Sequence, residues 1–162
     1  MPTGKNTPFN VTVLGFMLAV TLFTRNPELH GAWICSPFVT KLTCHFFHAN
    51  IFHFACNAMC LWLMRPSPVQ TIRAFIIAVT AMFATIEPTI GFSAVLYAYM
   101  GMNIFRWNVP MSDWAMFAVA NFITIFIPGV AFATHLAAFI LGFFTWVLEK
   151  QMKTLLLKLE EN

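Results

Sequence analysis

The sequence predicts an all-α membrane protein, a bundle of six transmembrane helices, and three observations carry that prediction. Of 162 residues, 59% are hydrophobic and only 9% are charged, where a soluble domain carries about a quarter charged residues. Mean hydropathy is +0.75. The few charges stand at the ends of apolar blocks, and a helix crossing the hydrocarbon layer needs roughly 20 apolar residues. This length allows a single membrane domain over 1–162 and no separate soluble one.

The uncharged stretch between Lys5 and Arg25 makes the first span, about 8–24. It is as long as a span and lacks a small-residue cleavage site, so it does not read as a secretory leader. Residues from Arg25 to Lys41 include Pro27, Gly31, Trp33 and Pro37. They are too polar to span and too aromatic to float freely, which predicts a loop at the interface. The second span, about 49–64, stops at "RPSP". A third covers about 69–86, with Arg73 close enough to its start to snorkel. The fourth, about 90–105, ends at Arg106. From Asp113 to Glu149 the chain is free of charge for longer than one helix needs. Pro128-Gly129 divides this block into a fifth span, about 113–128, and a sixth, about 131–148.

Six spans put both termini on one side, which then holds Lys5, Arg65, Arg73, Arg106, Lys150, Lys153 and Lys158. Only Arg25 and Lys41 are left for the other. The positive-inside rule makes the first side cytoplasmic, and a bacterial inner membrane is the expected setting. The tail "LEKQMKTLLLKLEEN" has leucines at helical spacing and reads as a cytoplasmic extension of the sixth helix. A net charge of +3, scattered over span ends, gives no ground for a nucleic-acid partner. Cys35, Cys44, Cys56 and Cys60 form no C-x-x-C pair.

Ionisable and polar groups inside a membrane are costly, so each needs a reason. "HFFHANIFHFACN" bears His45, His48, His53 and Asn57; the fourth span bears Ser93 and Tyr97; the sixth bears His135. His53 and Asn57 are four residues apart and share a helix face, as do Ser93 and Tyr97. His135 and Gly142 share a face too, and small residues let membrane helices approach closely. By topology His53, Ser93 and His135 all fall toward the non-cytoplasmic side. His45 reads as interfacial and receives no role.

A hydroxyl, an imidazole and nearby donors suit acyl transfer. Serine needs a general base to become a nucleophile, and the developing oxyanion needs preorganised donors. His53, Asn57 and the Ser93 amide can supply them, the last more readily if the fourth helix begins near Ser93. Glu28, Glu87, Asp113, Glu149, Glu160 and Glu161 all stand at or beyond span ends. The expectation is therefore a Ser93–His135 dyad, with Tyr97 as a packing surface for the imidazole.

These residues resemble the rhomboid intramembrane serine proteases, over most of the chain from the Trp33 region to Gly142. Their second-helix pattern, histidine-x4-histidine-x3-asparagine, is matched by His48, His53 and Asn57. Their glycine-x-serine-glycine motif, followed by tyrosine or a small residue, is matched by Gly91, Ser93 and Tyr97. Their sixth-helix histidine with glycines three and seven positions on is matched by His135 and Gly142. The resemblance implies Ser93 as nucleophile, His135 as base, His53 and Asn57 as oxyanion donors and His48 as structural, in a rhomboid-like bundle that cleaves transmembrane protein substrates. It implies no cofactor and no metal. Ala94 and Ala138 stand where the family has glycine, adding one methyl group on each side of the contact between helices four and six. The short link "IPGVAFAT" replaces a loop the family often uses as a cap.

Two other readings stay open. One is a protease-like protein without catalysis that binds membrane helices, kept alive by Ala94 and Ala138. The other is a zinc or copper site on His53, Cys56 and Cys60, which share a helix face; it leaves Ser93, His135 and Gly142 without a task.

Overall fold

A computed structural model describes residues 7–105 and 131–160, and its regular elements are helical. In chain order they are α1 (Thr7–Phe23), α2 (Phe38–Thr43), α3 (Ile51–Met64), α4 (Pro68–Ala81), α5 (Ser93–Asn103) and α6 (Phe132–Glu160). Short 3₁₀ turns cover Pro27–His30, Cys44–Phe46 and Met82–Ala84. Helix boundaries follow local chemistry. Asn50 starts α3 by accepting from the His53 amide at 2.9 Å. Arg65, left-handed at φ 45°, and Pro66 end it. Ser67 and Gln70 close a reciprocal capping box on α4, with Pro68 in the first turn.

α6 has the length and apolarity to cross a membrane. α1, α3 and the run Pro68–Ala84 are shorter apolar helices. The expected fourth span, 90–105, is helical only from Ser93 to Asn103. Its first residues are not helical because Gly91 sits at φ +112°, outside the helical region. At 1.5 Å per residue α5 is about 16 Å long, roughly half of a hydrocarbon core. The expected fifth span, Arg106 and Pro128-Gly129 lie outside the described residues.

The expected interface loop is more structured than its composition suggests. Ala32 and Thr89 form an isolated antiparallel bridge, and the Ile34 amide donates to the Thr85 carbonyl at 2.7 Å. Lys41, expected as an outer surface charge, is buried in α2. Its Nζ donates to the carbonyls of Ile34 and Ser36 and lies 4.8 Å from the Phe83 ring centre. Carbonyl dipoles and a ring face replace its water.

Large apolar side chains face outward, among them Phe16, Phe52, Leu63, Ile76 and Phe144. Polar ones are buried, among them Asn10, His48, Asn57, Asn103, Thr134 and His135. α5 packs most extensively on α6. Their backbones touch at two glycines. A Cβ on Gly101 would strike the Phe139 carbonyl oxygen and lie 2.9 Å from the Phe143 nitrogen. One on Gly142 would strike the Ala98 carbonyl oxygen and lie 3.1 Å from the Met102 nitrogen. Ala94, Ala98 and Ala138 are fully buried beside them. Arg73 and Glu149 tie α4 to α6 near the other end at 2.6 Å, an exposed pair worth at most about 1 kcal/mol.

This contact yields a signed expectation. Alanine is favoured over glycine in a helix by about 1 kcal/mol, and a Cβ on Gly15 meets nothing within 4 Å. Gly15→Ala should leave the melting temperature in detergent unchanged or raised. Gly142→Ala should lower it, because overpacking against backbone costs about 1–3 kcal/mol. Equal melting temperatures for the two variants would contradict the α5–α6 contact.

Candidate active site

α5 opens at Ser93, directly after the Gly91-Phe92 turn, so the Ser93 amide lies where a helix has no intrahelical acceptor to offer. α6 brings His135 across from its first turn. Ser93 Oγ and His135 Nε2 are 2.7 Å apart, the distance at which a hydroxyl donates to imidazole. With Nε2 accepting, the ring proton is assigned to Nδ1. That atom is buried without a hydrogen-bond partner among the described residues, so no carboxylate there extends the pair to a triad. The His135 ring lies flat on Tyr97, centroids 4.4 Å apart and planes 2° apart. An imidazolium formed by proton transfer would rest on an aromatic face.

Threonines register the two elements. Thr134, next to His135, has its Oγ1 2.8 Å from that of Thr85 and 3.3 Å from that of Thr89. The start of α6 is thus tied by hydroxyls to the extended segment that leads into Ser93.

His53 and Asn57 come from α3 to the other side of the same turn. A Cβ on Gly91 would lie 2.6 Å from His53 Cε1, 2.7 Å from His53 Nε2 and 3.4 Å from Asn57 Nδ2. Gly91 therefore serves twice, accepting φ +112° and leaving room for both side chains. Asn57 Nδ2 is a buried donor with no partner among the described residues. An unfilled donor beside a serine is what a site for developing negative charge requires. His48 braces this set from behind. Its Nδ1 is 3.3 Å from Thr21 Oγ1 of α1, and its ring meets His53 edge-on at 5.2 Å.

The structure thus brings together Ser93, His135, Tyr97, Gly91, His53, Asn57 and His48. Gly142 is two turns along α6, at the α5 backbone rather than at the reacting groups. Cys56, from the alternative metal set, is exposed, and among the described residues no group of three or more His, Cys, Asp or Glu side chains is arranged to hold a metal.

His45, expected at the membrane interface and given no role, is buried in the 3₁₀ turn Cys44–Phe46, edge-on to Phe75 at 5.3 Å. The preceding residue of the same turn, Cys44, accepts from the Gly91 amide at 3.0 Å. Nothing in the spacing of His45 relative to His53 or Ser93 signals its burial, because the elements that cover it are distant in sequence. The threonine ties were missed for the same reason. No protein-family model matches the chain, and no curated protein matches it.

Burial pushes the His45 pKa down to about 4, partly offset by the Gly91 backbone. Between about pH 6.5 and about pH 4 the unfolded chain then binds a proton that the folded chain does not. Stability from this group is present above that window and is lost as pH falls through it. The melting temperature should drop more steeply with acid in wild type than in His45→Asn. Parallel curves for the two proteins would show that His45 is not buried neutral.

Proposed function

We propose that the chain is a rhomboid-like intramembrane serine endopeptidase of six spans, both termini cytoplasmic, which cleaves transmembrane protein substrates toward the non-cytoplasmic face. The observation that carries this reading is the 2.7 Å Ser93–His135 contact on the Tyr97 ring, with the buried, unfilled Asn57 donor beside the same turn. The inverted distribution of polar and apolar side chains supports a bilayer as solvent. So does α5, whose start falls part-way through a hydrocarbon layer if its end stands at the cytoplasmic boundary. Extended backbone at that depth is tolerated where it is covered by protein or lines a cavity.

The chemistry follows from these groups. The Ser93 hydroxyl proton passes to His135 Nε2 as Oγ attacks the substrate carbonyl carbon. Negative charge collects on the carbonyl oxygen, where the Ser93 amide, Asn57 Nδ2 and His53 donate. His135 returns the proton to the departing amine as the C–N bond breaks. Water then attacks the ester by the same proton route and frees Ser93. A substrate helix hides its carbonyls in its own hydrogen bonds, so it must unwind at the cut, which favours small or helix-breaking residues there.

Ala94 and Ala138 do not favour the reading without catalysis, since both are accommodated in the core while Oγ and Nε2 stay within hydrogen-bonding distance.

Ser93→Ala and His135→Ala should each abolish cleavage of a generic transmembrane substrate by purified protein while the melting temperature holds. Losing one member of such a unit removes most of a rate enhancement of about 10⁶, and the two losses do not add. Proteolysis at the wild-type rate by Ser93→Ala would end the proposal. Asn57→Ala should lower kcat by about 10²–10³ with little change in KM, since its donor acts on charge absent from the ground state. If Asn57 only glues helices, its loss will instead lower the melting temperature and spare the turnover of folded molecules.

A further inference from the structure

We propose that Thr134 is a positioning residue for the base: its hydroxyl, donated across the fold to Thr85, takes the place of the acid that orients a histidine in a triad. The inference rests on the endopeptidase reading and extends it to a residue outside the dyad and its donors. A general base is ordinarily held by a third group on its far ring nitrogen. Here His135 Nδ1 is buried with no partner among the described residues. Tyr97 lies flat against the ring at 4.4 Å and fixes its plane, but stacking does not stop the ring from sliding within that plane. The backbone of His135 must therefore be held, yet it stands in the first turn of α6, where helices fray.

Three observations give that task to Thr134. First, its hydroxyl leaves its own helix. Thr12, Thr80 and Thr145 bond back to the carbonyl four residues earlier, a local bond open to any helical threonine. Thr134 instead reaches Thr85 Oγ1 at 2.8 Å and Thr89 Oγ1 at 3.3 Å. Second, the protons can be counted, because each hydroxyl carries one. Thr85 gives its own to the Ala81 carbonyl and Thr89 to the Glu87 carbonyl, each at 3.1 Å. The proton between the segments is then assigned to Thr134, and the shorter contact makes Thr85 its acceptor. Third, the acceptor is fixed independently of α6. The Thr85 carbonyl accepts from the Ile34 amide at 2.7 Å, and Thr89 exchanges two backbone bonds of 2.9 Å with Ala32. Thr134 itself is buried, so water does not compete for its proton.

The consequence is geometric. Without this bond the first turn of α6 is free to shift while the rest of the helix stays packed on α5. The His135 ring then moves along the Tyr97 face and away from Ser93 Oγ. Misplacement of about 1 Å at a reacting centre can cost about 10² in rate. Thr134 acts through the backbone it shares with His135, not on the reacting atoms.

The test separates the hydroxyl from the shape. Valine keeps the branched shape and lacks the hydroxyl, whereas serine keeps the hydroxyl and lacks the methyl group. Full-length Thr134→Val, Thr134→Ser, Thr85→Val and the Thr85→Val, Thr134→Val double variant are compared with wild type and Ser93→Ala in detergent. Three quantities are measured: kcat and KM on a transmembrane substrate, the rate of covalent labelling by a fluorophosphonate, and the melting temperature. The expected result is kcat and labelling about 10² lower for Thr134→Val with KM held, and within about threefold of wild type for Thr134→Ser. The double variant should fall no more than about threefold below the slower single variant, since both substitutions break one bond. Wild-type kcat in folded Thr134→Val overturns the clasp, whatever its melting temperature, because a merely structural tie affects stability and not turnover. Serine and valine variants of equal activity overturn it as well, as do losses that multiply in the double variant. If Thr134→Val does not fold, Thr85→Val decides by the same loss of kcat at constant KM. Cleavage by wild type that Ser93→Ala leaves unchanged would instead strike the endopeptidase reading, and the clasp would fall with it.

Discussion

Backbone contact between α5 and α6 is the constraint on which the candidate site depends. Ser93 and His135 lie on different helices, and neither side chain is long. Their 2.7 Å separation requires helix axes closer than ordinary side chains permit. Gly101 and Gly142 remove the obstacle, each facing the main chain of the other helix. Ala94, Ala98 and Ala138 continue the seam with the smallest side chains that still fill it. The methyl groups of Ala94 and Ala138 are packed as part of this contact. The closest approach lies further along, at 101 and 142, where both residues are glycine.

Proximity of helices leaves rotation and sliding undetermined, and three sets of polar contacts remove those freedoms. The Tyr97 ring fixes the plane of His135. The threonine ties at Thr134 fix the height of α6 against the segment before Ser93. On the far side, Gly91 is held between the Cys44–Phe46 turn and the side chains of His53 and Asn57. Each hydrogen bond among them is worth only about 1 kcal/mol. Their value lies in direction, since an apolar seam of small residues resists sliding poorly. Buried polar groups in this chain serve as registration marks rather than as sources of bulk stability.

How much of this the sequence disclosed depends on the range of the signal. Ser93 with Tyr97 and His53 with Asn57 are local pairs, legible from helical spacing alone. Joining them to His135 rests on span order, on shared depth and on a serine's need for a base, since nothing in periodicity says which helices are neighbours. Gly91 was legible as part of a motif, though its contact with His53 was not. The burial of Lys41 ran against composition, because its partners are carbonyls of an irregular loop and the Phe83 ring of a later turn. The pairing of Ala32 with Thr89 was equally hidden, as two backbone groups 57 positions apart by their numbers leave no trace in side-chain pattern. His45 failed differently. It stands among other histidines near a span end, where an exposed imidazole is the commoner outcome, and the Phe75 ring that covers it comes from a later helix.

The two kinds of contact explain why the α5 N-terminus can be both irregular and well defined. A turn that leads into a serine must leave amides free, so it cannot satisfy itself as a helix or a sheet would. The segment from Thr85 to Phe92 meets that demand by borrowing partners on each side: Ala32 and Ile34 from the first loop, Thr134 from α6, Cys44 from the 3₁₀ turn. Some lenders are themselves fixed, Ile34 by the buried Lys41 and the 3₁₀ turn by its place between α2 and α3. The Lys41 ammonium, remote from Ser93 in sequence, thus belongs to the same chain of support. Its removal would loosen Ile34, then the bond to Thr85, then the threonine tie beside His135. Under the proposed chemistry the first loop is for this reason a structural wall of the site, and its aromatic, semi-polar composition reflects packing against the Thr85–Phe92 segment as much as contact with the membrane surface.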